Sequence, residues 1–124
     1  MKVAVTAQGQ DLKSQIDPRF GRARYLIVVD TDSGKFTVHD NAENLNAAEG
    51  VGIQAAGAVI DWDVRAVITG NIGPKAFATL EAEYIKVYLE SSGTVEDAIG
   101  KFKAGQLEPA VKANVEEHHA ETPK

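Results

Sequence analysis

The stretch Tyr25-Leu26-Ile27-Val28-Val29-Asp30-Thr31-Asp32-Ser33-Gly34-Lys35-Phe36-Thr37-Val38-His39-Asp40 reads as two strands folded back on each other. Its first six residues form an apolar, largely β-branched run. Lys35 to Asp40 sets Phe36 and Val38 on one face. Thr31-Asp32-Ser33-Gly34 supplies the turn, with Gly34 suited to positive φ. A hairpin reverses the chain, so any sheet that also contains parallel crossovers must be mixed.

Upstream, Lys2 to Ala7 alternates β-branched and small residues and reads as a buried first strand, followed by a long polar loop from Gln8 to Arg24. Downstream, after a second polar loop from Asn41 to Gly50, Val51 to Trp62 has Ile53, Ala56 and Ile60 at helical spacing. Gly52 and Gly57 lower its helix propensity. Arg65 to Thr69 is a short apolar strand, and Gly70-Asn71-Ile72-Gly73-Pro74 turns into a second helix with Pro74 at its first position and Phe77 and Leu80 inward. Ile85 to Leu89 is the last strand. Thr94-Val95-Glu96-Asp97 has capping-box spacing and opens a third helix, buried through Ala98, Ile99 and Phe102 and stopped at Gly105. From Gln106 onward the periodicity fades. Residues 1–107 are therefore expected to form one α/β domain and residues 108–124 a partly disordered tail.

The order β-β-β-α-β-α-β-α, with right-handed crossovers, predicts a mixed sheet of five strands in the order 3-2-1-4-5, its second strand antiparallel, with about three helices. Strands one, three, four and five then point the same way. The loops Gln8–Arg24, Asn41–Gly50, Gly70–Pro74 and Glu90–Thr94 gather at one end. Ligands of open α/β sheets sit outside the carboxyl ends of the strands where strand order reverses, here between strands one and four.

Composition narrows the chemistry. The chain has 124 residues, 44% hydrophobic and 25% charged, with a net charge of −5 and no cysteine. That suits one soluble domain with a self-sufficient core. It excludes disulfides, thiolate-held metal and a Cys nucleophile. The longest apolar run, Tyr25 to Val29, is far short of the roughly 18 residues of a membrane span. The N-terminal residues lack a signal peptide's apolar stretch, so a cytoplasmic location with no membrane partner is expected. The acidic balance argues against nucleic acid as a general partner.

At the loop end, Arg19-Phe20-Gly21-Arg22-Ala23-Arg24 places three guanidinium groups within six residues. Opposite it should lie Gly70 to Pro74, whose glycines let backbone N–H groups approach a ligand at a helix start. Together they describe an anion site. The plainer reading pairs the arginines with Asp11, Asp17 or Asp30 and leaves the glycines as turn formers. Elsewhere the signals are weaker. Asp61 and Asp63 read as helix-end surface charges, His39 as a surface residue, and His118 and His119 as tail residues rather than ligands. The first strand carries no acid for two-metal nuclease chemistry, and Ser91 and Ser92 have no base nearby in sequence.

Phe20-Gly21-Arg22-Ala23 before the strand Tyr25–Asp30, Gly50-Val51-Gly52-Ile53-Gln54-Ala55-Ala56, Val67-Ile68-Thr69-Gly70-Asn71-Ile72-Gly73-Pro74-Lys75-Ala76-Phe77 and Ile85-Lys86-Val87-Tyr88 together resemble the dinitrogenase iron–molybdenum cofactor biosynthesis family. The likeness covers roughly residues 1 to 107 and is nearest to the small, cysteine-free, single-domain members. It implies a ribonuclease H-like three-layer fold. It also implies noncovalent carriage or assembly of an anionic molybdenum-containing metal–sulfide cluster, of Mo–Cu or Fe–Mo type, passed between donor and acceptor proteins.

Many relatives carry His where this chain has Arg19, and some carry His in place of Arg22, so the resemblance points to holding by charge and shape. No direct protein ligand to metal is expected. The expected cluster-binding residues are Arg19, Phe20, Gly21, Arg22, Ala23, Arg24, Gly50, Gly52, Ile53, Gly70, Asn71, Ile72, Gly73 and Pro74, with Phe20, Ile53 and Ile72 covering sulfur faces. Guanidinium and backbone N–H groups would donate to the sulfides. No catalytic residue is expected. The alternatives are an enzyme acting on a phosphate or nucleotide ligand at the same anion site, and a protein-interaction module.

Overall fold

The computed structural model describes residues 1–42 and 50–116. Its strands are β1 (Lys2–Ala7), β2 (Tyr25–Asp30), β3 (Phe36–Asp40), β4 (Ala66–Thr69) and β5 (Lys86–Leu89). Its helices are α1 (Val51–Asp61), α2 (Pro74–Ala82) and α3 (Val95–Lys103). The sheet order is β3-β2-β1-β4-β5, with β2 antiparallel to both neighbours and β1, β4 and β5 parallel. This is the mixed, open arrangement that the hairpin and crossovers predict.

Strand periodicity sorts the core into two layers. Val3, Val5, Ile27, Val29, Ala66 and Ile68 face α3, where they meet Val95, Ala98 and Ile99. Ala4, Val28, Val67 and Val87 face the other side and meet Ala55, Ala56 and Val59 of α1 and Ala76, Phe77 and Leu80 of α2. Covered on both faces, β1 and β4 are continuously apolar, as buried strands are. Complete burial of side chains such as Ile68 and Leu80 stabilises the fold by about 1.5–3 kcal/mol each.

The hairpin turn uses Gly34 at φ 79°. Thr94 and Asp97 form a reciprocal capping box on α3, and Gly105 at φ 72° follows its last turn. Three strands start one residue later than expected, at Phe36, Ala66 and Lys86.

The buried face of α1 differs from the Ile53–Ala56–Ile60 reading. Val51, Gly52, Ala55, Ala56 and Val59 are buried, whereas Ile53 is 43% exposed. The cause is close packing of α1 on α2: a Cβ on Gly52 would lie 3.2 Å from the Ala76 Cβ. Small residues define that stripe, so counting large apolar side chains places it one position off.

Residues beyond 107 pair where apolar periodicity gave no sign of it. Pro109 bridges Tyr88, and the Ala110 amide donates to the Val87 carbonyl at 2.7 Å, so this segment lies against the outer edge of β5. Ala110 and Ala113 pack against the α1/α2 core layer. The pairing is made by backbone groups, which carry no hydropathy signal. His118 and His119 lie outside the described residues, as does most of the Asn41–Gly50 loop.

Candidate functional site

The carboxyl ends of β1 and β4 meet through two threonines. Thr6 Oγ1 donates to the Asp17 carbonyl at 2.6 Å and stands 2.8 Å from Thr69 Oγ1, all three residues being buried. The loop that follows β1 is therefore built rather than loose. Ala7 bridges Ile16, the Ile16 amide donates to the Gly93 carbonyl at 3.0 Å, and the Val95 and Glu96 amides donate back to Ser14 and Leu12. These bonds fold residues 8–16 over the start of α3.

Asp17 organises what comes next. Its carboxylate is almost completely enclosed, with Oδ1 accepting the Arg19 amide at 3.0 Å and Arg19 Nε at 3.4 Å, and Oδ2 accepting the Arg24 amide at 3.3 Å. Asn41 closes the loop from the other side, its Nδ2 donating to the Gly21 carbonyl at 3.1 Å and the Ala23 carbonyl at 2.8 Å. A buried carboxylate and a buried amide thus fix the backbone of Arg19 to Arg24. Neither side chain announces that role in the sequence beyond being polar and beside the motif.

The three arginines have different fates. Arg24 is committed, pairing with Asp40 and lying 4.4 Å over the Tyr25 ring. That hydrogen bond raises the Arg24 pKa and lowers that of Asp40. Arg22 is only 7% exposed, its side chain lying within the protein. Arg19 touches Asp17 through Nε, and its side chain is 39% exposed at the surface of the loop. Of the acidic partners weighed from sequence, Asp17 is engaged by this loop. Asp30 serves the N-terminal amine and the hairpin turn, and Asp11 serves the amide of Lys13.

Phe20 and Ile72 are spent on the core. They are 2% and 0% exposed and pack among α1 and α2 residues, so burial withdraws both side chains from the surface role expected of them. What they contribute is placement. The Phe20 amide donates to the Asn71 carbonyl at 3.1 Å and Arg19 bridges Asn71, which brings the two motifs into register as neighbouring extended segments. Ala23 is buried as well, whereas Ile53 stays exposed on the first turn of α1.

The glycines are required by close approach. A Cβ on Gly21 would stand 2.7 Å from the Gly52 amide nitrogen and 2.8 Å from Val51 Cγ2, so the Arg19–Arg24 loop lies directly on the start of α1. A Cβ on Gly70 would meet Pro18 Cα at 2.8 Å and Ser91 Cβ at 2.9 Å. Three of the anticipated loops, Gln8–Arg24, Gly70–Pro74 and Glu90–Thr94, are therefore in contact at this end. Glu90 braces the last of them, accepting from Lys101 at 2.8 Å and from Ser92, which lowers its pKa.

Electrostatics at this end are asymmetric. α1 begins after Gly50 (φ 78°) and α2 after Gly73, with Pro74 at its start; neither start has a side-chain cap or an acid in its first turn. α3, by contrast, is filled by its capping box and carries Glu96 and Asp97. Helix starts carry partial positive charge. Two such starts beside Arg19, with Arg22 adding its charge from within, suit an anion. Among the described residues no group of three or more His, Asp or Glu side chains converges to hold a metal ion.

One residue outside every sequence motif joins this site. Asn114 accepts the Ile72 amide at 2.8 Å through Oδ1, and its Nδ2 donates to the Gly70 carbonyl at 3.0 Å and to Asn71 Oδ1 at 3.1 Å.

The fold and sequence both have known counterparts. The apo form of the orange protein from Desulfovibrio gigas superposes with a TM-score of 0.89 at 37% identity, covering 92% of this chain and 96% of that one. A Thermotoga protein of the DUF35 family, solved by NMR, gives a TM-score of 0.80, also at 37% identity, over 93% of this chain and 97% of that one. An uncharacterized protein of Methanocaldococcus jannaschii is 30% identical over 110 residues, 87% of this chain and 90% of the relative. The model of the dinitrogenase iron-molybdenum cofactor family matches residues 1–105. These likenesses connect the chain to binding or assembly related to that cofactor, in keeping with a carrier or assembly role. With its fold and residues 1–105 in agreement, the chain belongs to the dinitrogenase iron-molybdenum cofactor family.

Proposed function

We propose that this protein binds an anionic, molybdenum-containing metal–sulfide cluster without covalent attachment and carries it or serves in its assembly. The observation that carries the reading is the close seating of the Arg19–Arg24 loop on the start of α1, at Gly52, and on the Gly70–Pro74 segment that leads into α2, in a chain of net charge −5. A cluster of Mo–Cu–S or Fe–Mo–S type brings its own sulfide ligands and negative charge. The protein then needs to offer donors rather than thiolates, and guanidinium and backbone N–H groups do so.

Within this reading Arg19 and Arg22 supply charge, while Gly21, Gly50, Gly52, Gly70 and Gly73 keep the backbone close. Ile53 offers an apolar contact at the rim of the site, and Phe20, Ala23 and Ile72 act from the core by holding the loops. Arg24, tied to Asp40, contributes mainly structure. A cargo held by such contacts can leave intact, as transfer to an acceptor protein requires.

The test uses tetrathiomolybdate with copper, supplied to the purified protein and followed by desalting. Uptake is expected as protein-bound visible absorption accompanied by molybdenum. Colourless, molybdenum-free protein would overturn the reading, and displacement of the cluster by inorganic phosphate alone would favour a phosphate ligand at the same donors.

A further inference from the structure

The segment Gly70 to Gly73 lies extended between two flanks. On one side are Arg19, which bridges Asn71, and the Phe20 amide, which donates to the Asn71 carbonyl at 3.1 Å. On the other side is Asn114. Its backbone amide donates to the Ile72 carbonyl at 3.2 Å, its Oδ1 accepts the Ile72 amide at 2.8 Å, and its Nδ2 reaches the Gly70 carbonyl at 3.0 Å. One residue thus satisfies two carbonyls and one amide on a single side of the loop.

The consequence follows from peptide geometry. A planar trans peptide points its C=O and the following N–H in opposite directions, and the described chain contains no cis bond. With the Gly70 and Ile72 carbonyls drawn towards Asn114, the amides of Asn71 and Gly73 are turned towards the arginine side. The Asn71 carbonyl also faces the arginine side, where the Phe20 amide occupies it, so the donor that the Ile72–Asn114 bond aims towards the site is the Gly73 amide just ahead of α2. An anion needs a donor held in a fixed direction, and a loop of glycines and a short polar residue would not hold one unaided.

We infer that Asn114 is a positioning residue for the anion site, and that the strand-like segment leading to it is a working part of that site. This rests on the cluster-binding reading above. The segment is anchored independently of any ligand, through the Ala110 amide on the Val87 carbonyl at 2.7 Å and the Tyr88–Pro109 bridge. Anchoring delivers Asn114 to the loop at a fixed height along β5. The side-chain amide is chemically required, because it donates and accepts at once. An aspartate at this place would keep the acceptor for Ile72 but set a carboxylate against the Gly70 carbonyl.

The experiment compares the full-length chain with Asn114→Ala and Asn114→Asp. Tetrathiomolybdate with copper is the probe, read by visible absorption over a range of salt, and amide exchange at Ile72 is followed by NMR. Asn114→Ala is expected to speed Ile72 exchange and weaken uptake about tenfold, on the scale of lost hydrogen bonds to the loop. Asn114→Asp should fail to restore uptake and keeps the question answerable if the alanine variant does not fold. The salt dependence of the alanine variant should match that of the unaltered chain, since no charge has been removed, whereas Arg19→Ala should flatten it. Uptake by the unaltered chain, with equal uptake by Asn114→Ala despite a freed Ile72 amide, would overturn the positioning role alone. No uptake by the unaltered chain would overturn the cluster reading and this inference together.

Discussion

Asp17 holds Arg19 twice, its Oδ1 accepting the Arg19 amide at 3.0 Å and the Arg19 side-chain Nε at 3.4 Å. The carboxylate therefore fixes both the backbone and the reach of Arg19, while its other oxygen takes the Arg24 amide. Replacing it with alanine strands two amide donors in a nearly closed space. Asp17→Ala is expected to lose about 1–3 kcal/mol of stability, the cost of leaving buried polar groups unsatisfied. Urea unfolding measures this directly. Asp17→Asn, which keeps one acceptor, should lose less.

Arg19 and Arg24 make opposite predictions although they stand five positions apart. Arg19 is partly exposed and among the described residues its side chain is held at Nε, so Arg19→Ala should leave the fold intact and weaken tetrathiomolybdate uptake about tenfold, the scale of a charge-assisted hydrogen bond. Arg24 is paired with Asp40 and stacked on Tyr25, so Arg24→Ala should change uptake little. Equilibrium dialysis at low and high salt separates the two. The Arg19 effect should shrink as salt rises, because an exposed charge is screened.

Two glycines, one packed on the start of α1 and one inside it, should respond with opposite sign. Gly21→Ala drives a methyl to within 2.7 Å of the Gly52 backbone nitrogen, where nothing flexible can move aside. A loss of about 1–3 kcal/mol is expected from overpacking, with poorer uptake. Gly57 lies inside α1 and a Cβ there meets nothing within 4 Å. Gly57→Ala should stabilise the chain by about 0.5–1 kcal/mol through helix propensity alone. Thermal unfolding of both variants tests the pair.

The sheet was legible because its signals are local. The run Tyr25–Val29, the Gly34 turn and the capping box at Thr94 each act within a few residues, and two crossovers leave few topologies to choose from. The motifs Arg19–Arg24 and Gly70–Pro74 were legible as neighbours for the same reason. What holds them was not. Asp17, Asn41 and Asn114 are ordinary polar residues whose importance comes from partners up to 44 positions away, with Asn114 reaching Gly70 across the sheet edge. Phe20 and Ile72 misled because an apolar residue beside a glycine motif reads equally well as ligand cover or as core, and only packing against α1 and α2 distinguishes them. The Ile53 register failed where Gly52 and the two alanines, rather than large side chains, make the interface.

The remaining prediction concerns acid and the Glu90–Thr94 loop. Glu90 accepts Lys101 Nζ at 2.8 Å and is bonded by Ser92, and the lysine hydrogen bond is the main reason its pKa is lowered from the ordinary 4.5. A carboxylate with a depressed folded-state pKa adds stability that is fully present above its unfolded value and is lost as pH falls through the folded one. The contribution should therefore be constant at neutral pH and disappear progressively below 4.5. Glu90→Gln removes the titrating group while keeping the size of the side chain. Urea unfolding of the two proteins should give a stability gap that is steady from neutral pH down to mild acid and then closes. A gap that persisted unchanged well below the depressed value would show that the carboxylate's charge does not brace this loop.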